Sequence, residues 1–252
     1  MFKKGLSIAL IIVAIYWSFS ALLPSNISSL DAPENSFSTA RALVHLKEIS
    51  KKPHYVGSPN HKTVRDYLVK ELENLGLETE IQSDYILTDW GTITKPKNIL
   101  ARIKGSDNTK ALMLLSHYDS KSHASLGASD AGSGVVTILE GLRAYLHENK
   151  TPKNDLIILF SDAEELGLNG ASLFVKEHPW AKDVGLVLNF EARGSGGPSY
   201  MLMETNGGNH ELISNFMEAN PEYPVANSLA YCVYKKLPND TDLTRFREEG
   251  NI

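Results

Sequence analysis

The sequence predicts an α/β fold of three layers, a mixed and mainly parallel β-sheet with helices on both faces, preceded by an N-terminal transmembrane helix. Three observations predict it. Short apolar runs of strand length recur along the chain, with amphipathic stretches of helical period between the later ones. Several runs end on His, Asp or Glu, or lead into a Gly-rich turn that carries an acid, which is where open α/β sheets place their chemistry. The chain has 252 residues, 42% of them hydrophobic, which suits one globular domain of roughly 200 residues plus an extra segment.

The extra segment comes first. Lys3-Lys4 precedes a stretch from Leu6 to about Leu23 that carries no charge and is long enough to span a bilayer. The two lysines are expected on the cytosolic side, which puts the rest of the chain across the membrane, in a periplasm, a lumen or the cell exterior. Residues 1–24 are thus a membrane anchor, with a signal peptide cleaved near Ser18-Phe19-Ser20 as the rival reading. Residues 25–37, rich in Ser, Asn and Pro, are the linker, and the domain occupies residues 38–252.

Within the domain, helices are predicted over about Ser38–Lys51 and Lys62–Leu75, the second ended by Gly76. Strand-like runs follow at Thr79–Ile86, Asn98–Ile103, Ala111–Ser116, Asp155–Ser161, Val184–Phe190 and Tyr200–Glu204. Helical stretches lie at about Gly134–His147, Ala171–Glu177 and Glu211–Ala219. From Leu237 to Gly250 the chain reads as a charged helix leading into another strand, so the domain is expected to continue beyond Ile252. The net charge is −5 with no long basic run, which argues against a nucleic-acid partner. Cys232 is the single cysteine, so there is no disulfide framework and no Cys-rich metal site.

The chemistry gathers at the strand ends. His117 closes the run Ala111–Ser116, and Asp119 follows two residues on, a metal-binding imidazole and a carboxylate to hold its other nitrogen. Asp130 lies in Gly127-Ala-Ser-Asp130-Ala-Gly-Ser-Gly134, on a tight turn where a carboxylate bridges two cations or caps a helix. Glu164 and Glu165 follow the run Leu156–Phe160. Adjacent acids point in different directions, so one suits a metal and the other a general base. Glu191 repeats the strand-then-carboxylate pattern, as a terminal ligand or as a solvated acid at a strand end, and Arg193 beside it pairs with a carboxylate or faces solvent. The set is too rich in carboxylates for a closed structural zinc site and suits a two-metal hydrolytic centre.

Together and in this order, the motifs resemble the co-catalytic zinc aminopeptidase family of aminopeptidase S and aminopeptidase Y, over roughly residues 38–252. The stretch Asn189-Phe-Glu-Ala-Arg-Gly-Ser-Gly-Gly197, with Glu191 where the family usually has Asp, is most similar to the endoplasmic-reticulum metallopeptidase branch, which is membrane-embedded. The resemblance implies a zinc-peptidase fold with two zinc ions and peptide substrates. His117 and Glu191 would hold one zinc, Asp130 would bridge both, Glu165 would hold the other, and Glu164 would be the general base. The family's last ligand is a histidine near the domain's end, and no histidine follows His210, so the second zinc site is expected to be incomplete in this chain. His123, His147 and His178 are expected to be solvated. Pro238-Asn-Asp240-Thr-Asp242 also resembles a segment near the family's active site, although a helix cap at Asp240 or Thr241 explains it as well. Three rivals stay open. Glutaminyl cyclases resemble this family, share a stretch like His117-Tyr-Asp-Ser-Lys121 and use one zinc. A non-catalytic peptidase-like ectodomain and a metal carboxypeptidase or deacylase of similar fold are the others.

Overall fold

The computed structural model of the protein describes residues 2–21, 23, 27–89, 91–192, 194, 196, 199–219, 225–226, 228–238 and 240–250. Arg193 and Asn239, both singled out from sequence, lie outside the described residues. In chain order the helices are α1 (Phe2–Ser20), α2 (Thr39–Ile49), α3 (Pro59–Asn74), α4 (Ser133–His147), α5 (Asn169–Glu177), α6 (His210–Glu218), α7 (Ser228–Tyr234) and α8 (Leu243–Glu248). The strands are β1 (Thr79–Gln82), β2 (Ile86–Leu87), β3 (Ile93–Thr94), β4 (Asn98–Ile103), β5 (Ala111–His117), β6 (Leu156–Ser161) and β7 (Val184–Asn189). Two compact units are distinguished, residues 1–27, 196–204 and 208–237 in the first and the remainder in the second.

The second unit holds the sheet, in the order β1-β4-β6-β5-β7. β4 runs antiparallel to both its neighbours, while β5 pairs in parallel with β6 and β7. Four of the five strands therefore point one way, and β4 alone is reversed. The strands are apolar on both faces because both are covered. In β6, Ile158 and Phe160 face a core built with α2, α3 and α4, while Ile157 and Leu159 face a second core built with α5 and α8. Period-two alternation thus serves two cores instead of one core and solvent. The parallel register sets His117 of β5 opposite Ser161 of β6, and Leu115 opposite Asn189 of β7. Three adjacent strands consequently finish side by side, and whatever follows each of them converges.

The helix ends follow local rules. Ser38 caps α2, its hydroxyl accepting from the Arg41 amide at 3.2 Å. Pro59 occupies the first turn of α3, where its missing N–H costs nothing. The run Thr79–Ile86 proves to be two strands, β1 and then β2, which pairs with β3 in a separate hairpin. Tyr200–Glu204 joins no ladder among the described residues, where Met201 donates an amide bond to the Val225 carbonyl at 2.8 Å. In the first unit, residues 3–20 of α1 are exposed, and Lys3–Ser20 is long and apolar enough to cross a membrane.

Gly134, in the first turn of α4, is packed where a side chain has no room. A Cβ there would lie 2.5 Å from the Phe190 carbonyl oxygen and 2.5 Å from the Ser116 hydroxyl. The Gly134→Ala variant is expected to lose about 1–3 kcal/mol of stability, read as a lowered melting temperature. It should also disturb the metal cluster described next, because Ser116 and Phe190 directly precede two of its residues in strand-end position.

Candidate metal centre

His117, the last residue of β5, is buried with 1% exposure. Its Nδ1 lies 2.9 Å from the Asp119 carbonyl oxygen and 3.4 Å from the Asp119 carboxylate. The nearer carbonyl is the acceptor that fixes the ring, so the main chain of Asp119 does the orienting expected of its carboxylate. The carboxylate instead accepts from the amides of Glu164 at 3.1 Å and Glu165 at 3.3 Å. Asp119 therefore ties the imidazole to the acid pair. That pair forms a single helical turn, entered from Ala163 at φ 59° and followed by Leu168 at φ 58°. Non-glycine residues held in this region are uncommon and mark a conformation imposed by the surroundings.

On the other side of the ring, Nε2 lies 2.9 Å from Asp130 Oδ1, 3.7 Å from Glu191 Oε1 and 4.0 Å from Glu164 Oε2. One donor atom each from His117, Asp130 and Glu191 falls within 4.8 Å of the others. Asp130 reaches this place from the turn Ala128–Gly132, entered through Gly127 at φ 60°, a left-handed conformation natural to glycine. One hydroxyl links the three segments: Ser116 Oγ lies 2.9 Å from the Phe190 carbonyl and 3.3 Å from the Ala131 carbonyl.

The electrostatics match a cation site. Burial works against a charged His117, yet Asp119, Asp130 and Glu191 outweigh it and raise the ring well above its ordinary pKa. Burial pushes Glu164 up to about 9; His117 draws it back in part, and Asp242, Glu191 and Asp119 add to the rise. Asp130 moves the other way, burial being overcome by His117. A place that draws positive charge so strongly, lined by one imidazole nitrogen and carboxylate oxygens, fits a zinc-type ion. Glu165 stands apart from this cluster. Its carboxylate accepts from Lys121 Nζ at 2.7 Å, and burial, offset by Lys121, raises its pKa. The structure thus brings together His117, Asp119, Asp130, Glu164 and Glu191, and leaves Glu165 in an ion pair.

Asp242, from the segment whose resemblance pointed toward the active site, belongs here too. It is buried, hydrogen-bonded to the Ser161 hydroxyl, with Oδ1 unpartnered. The helix-cap reading of this segment fails: α8 starts at Leu243, the Asp242 side chain caps nothing, and Asp240 instead accepts from the Thr244 hydroxyl at 3.2 Å. Burial raises Asp242 to about 7; His117 and Ser161 oppose the rise, while Glu191 and Asp119 add to it. A folded pKa above the unfolded 3.8 means stability that is full below pH 3.8 and is lost as pH rises through about 7. In metal-stripped protein, Asp242→Asn should therefore match wild type near pH 4 and melt several degrees higher above pH 7, a difference checked by thermal melts across that window.

The remaining histidines divide. His123 and His147 are exposed as expected, whereas His178 is buried at 6%, with Nε2 3.3 Å from Glu80 and its ring stacked on Phe174. It is a core residue, because the turn after α5 folds back over the sheet.

The chain is 34% identical over 210 residues to a vacuolar membrane protease of Candida albicans, covering 81% of this chain and 24% of that protein. It is 36% identical over 238 residues to a vacuolar membrane protease of Schizosaccharomyces japonicus, covering 83% and 27%. The chain thus spans about a quarter of the length of the curated relatives it matches. Among solved structures it is similar in fold to a Porphyromonas gingivalis glutaminyl cyclase, with a TM-score of 0.66 and 22% identity over 86% of this chain and 81% of that one. It is also similar to a Zn-dependent exopeptidase from Parabacteroides distasonis, with a TM-score of 0.65 and 21% identity over 87% and 83%. The model of peptidase family M28 matches residues 98–252, a span that takes in every residue of the cluster and more than half of the chain, and the chain belongs to that family.

Proposed function

We propose that this chain carries the catalytic site of a metal-dependent exopeptidase that removes amino-terminal residues from peptides. The observation that carries the reading is the convergence of His117, Asp130 and Glu191, with Glu164 4.0 Å from the same imidazole nitrogen. His117, Asp130 and Glu191 would hold one zinc. Asp130 and Glu165 would hold a second once Glu165 releases Lys121. Zinc, when bound, supplies the Lewis acidity that lets water ionise near neutral pH and polarises the scissile carbonyl. Glu164 takes the proton of the attacking water and returns it to the leaving amine. Its burial keeps that proton from bulk solvent, and Asp119 fixes the turn that aims it, through the two amide bonds. Residues 1–24 would anchor the protein, with Lys3-Lys4 on the cytosolic side and the peptidase on the other.

Glutaminyl cyclisation is the second reading, favoured by the ion pair that occupies Glu165 and leaves a single complete cluster among the described residues. The two are separated by assaying zinc-loaded protein against leucine amide and against a glutaminyl peptide, with zinc per chain counted in parallel. Hydrolysis of leucine amide that disappears on chelation supports the peptidase. Cyclisation without hydrolysis overturns it in favour of the cyclase.

A further inference from the structure

We propose that a cavity beside the metal cluster, at the amino end of α3, is a binding site for a small phosphate-bearing anion. The cavity measures about 350 Å³, and none of the residues that line it belongs to the metal cluster. Four cations line it, Lys62, Arg65, Lys95 and Lys97; Lys62 is held in an ion pair with Asp66 and Lys95 lies over the Tyr85 ring, 5.0 Å from its centroid. That concentration does not follow from composition, since the chain's net charge is −5. A cleft in which cations outnumber acids by four to one focuses its field on a counter-ion.

The other lining groups narrow the ligand. Asp162 is the one acid in the lining, and both its oxygens are already engaged: Oδ1 with His61 Nε2 at 2.8 Å and the Ala163 amide at 2.8 Å, Oδ2 with the Lys97 amide at 2.7 Å. It has little left to offer a ligand. Ser58 stands at the N-cap of α3 with extended backbone, yet its hydroxyl does not cap the helix. Its Oγ is buried without a hydrogen-bond partner. An orphaned hydroxyl of this kind costs free energy unless something bonds it. Arg65, its side chain 12% exposed, brings a guanidinium fork at 3.5 Å from a single Asp66 oxygen, a weak engagement for a group built for two-point contact. Ammonium groups, guanidinium, hydroxyl and the positive end of a 16-residue helix are all donors or positive poles. The complementary ligand accepts at every point and carries more than one negative charge, which describes phosphate better than a lone carboxylate. The volume leaves room for a substituent on the phosphorus, so the source is free phosphate or a phosphorylated headgroup.

The test is calorimetric titration of the full chain at constant ionic strength, with inorganic phosphate in one arm and inositol 1-phosphate in the other. Saturable binding in either arm is expected, weakened at least about tenfold in Lys95→Gln/Lys97→Gln, whose side chains are exposed, and also in Arg65→Gln. Binding to inositol 1-phosphate alone identifies a headgroup, and equal binding in both arms identifies the free anion. Asp130→Ala, altered at the metal cluster, should bind as wild type does. No saturable binding, binding indifferent to the lysine variants, binding lost in Asp130→Ala, or equal affinity for citrate would each overturn the proposal. The readout is independent of peptidase activity, so failure here leaves the functional reading untouched.

Discussion

Glu164→Gln is expected to lower kcat on leucine amide by about 10³-fold while zinc content and KM stay near wild type. The glutamine is isosteric and keeps the amide at position 164 that donates to Asp119, so the turn is preserved. What it loses is the ability to accept and return a proton. The expected split, kcat down and zinc unchanged, separates a proton carrier from a metal ligand. Burial and the surrounding acids hold the carboxyl near 9 in the metal-free protein, so it cannot act as a base at neutral pH until positive charge arrives beside it. The variant's loss should therefore be seen only in zinc-loaded enzyme. A variant that also sheds its zinc would make Glu164 a ligand instead.

Asp130→Ala is expected to have the larger effect on the metal, because the Asp130 carboxylate is the closest to His117 Nε2 and would serve both ions. Disturbing groups that merely hold ligands in place costs about 10–100-fold in metal affinity. Removing a bridging ligand should exceed that, and the purified variant should retain little zinc by elemental analysis. His117 keeps its Asp119 carbonyl contact in the variant, so the domain should fold. Near-stoichiometric zinc in a folded Asp130→Ala protein would refute the assignment.

The sheet and the convergence of its strand ends were legible in the sequence because both rest on local pattern. A run of branched residues, followed by His117, by the Glu164–Glu165 pair or by Glu191, says where a strand stops and what it carries. The reversal of β4 was not legible, since side-chain alternation is the same in either direction. The ion pair of Lys121 with Glu165 joins residues 44 positions apart and leaves no periodic trace. Asp242 was legible only through the resemblance of its segment, with a helix cap as the rival. Set among Asp240, Thr241 and Thr244, it has the composition of a helix start, and its burial beneath the sheet end depends on where α8 docks. The same holds for His178, whose position after α5 gives no hint of the stacking on Phe174.

β7 is the outermost strand on its side of the sheet, paired only with β5 among the described strands. Glu191 follows that strand by two residues, whereas His117 ends the interior strand β5. A cation shared between them would act as a clasp across the margin of the sheet. Terminal strands open most readily, and a ligand that requires both sides closed slows such opening in proportion to its occupancy. Amide protons of Val184–Asn189 should then exchange more slowly as zinc is added, while those of β4 and β6 hold their pace. In a cell, the peptidase's exposure to unfolding at its edge would be set by the supply of metal.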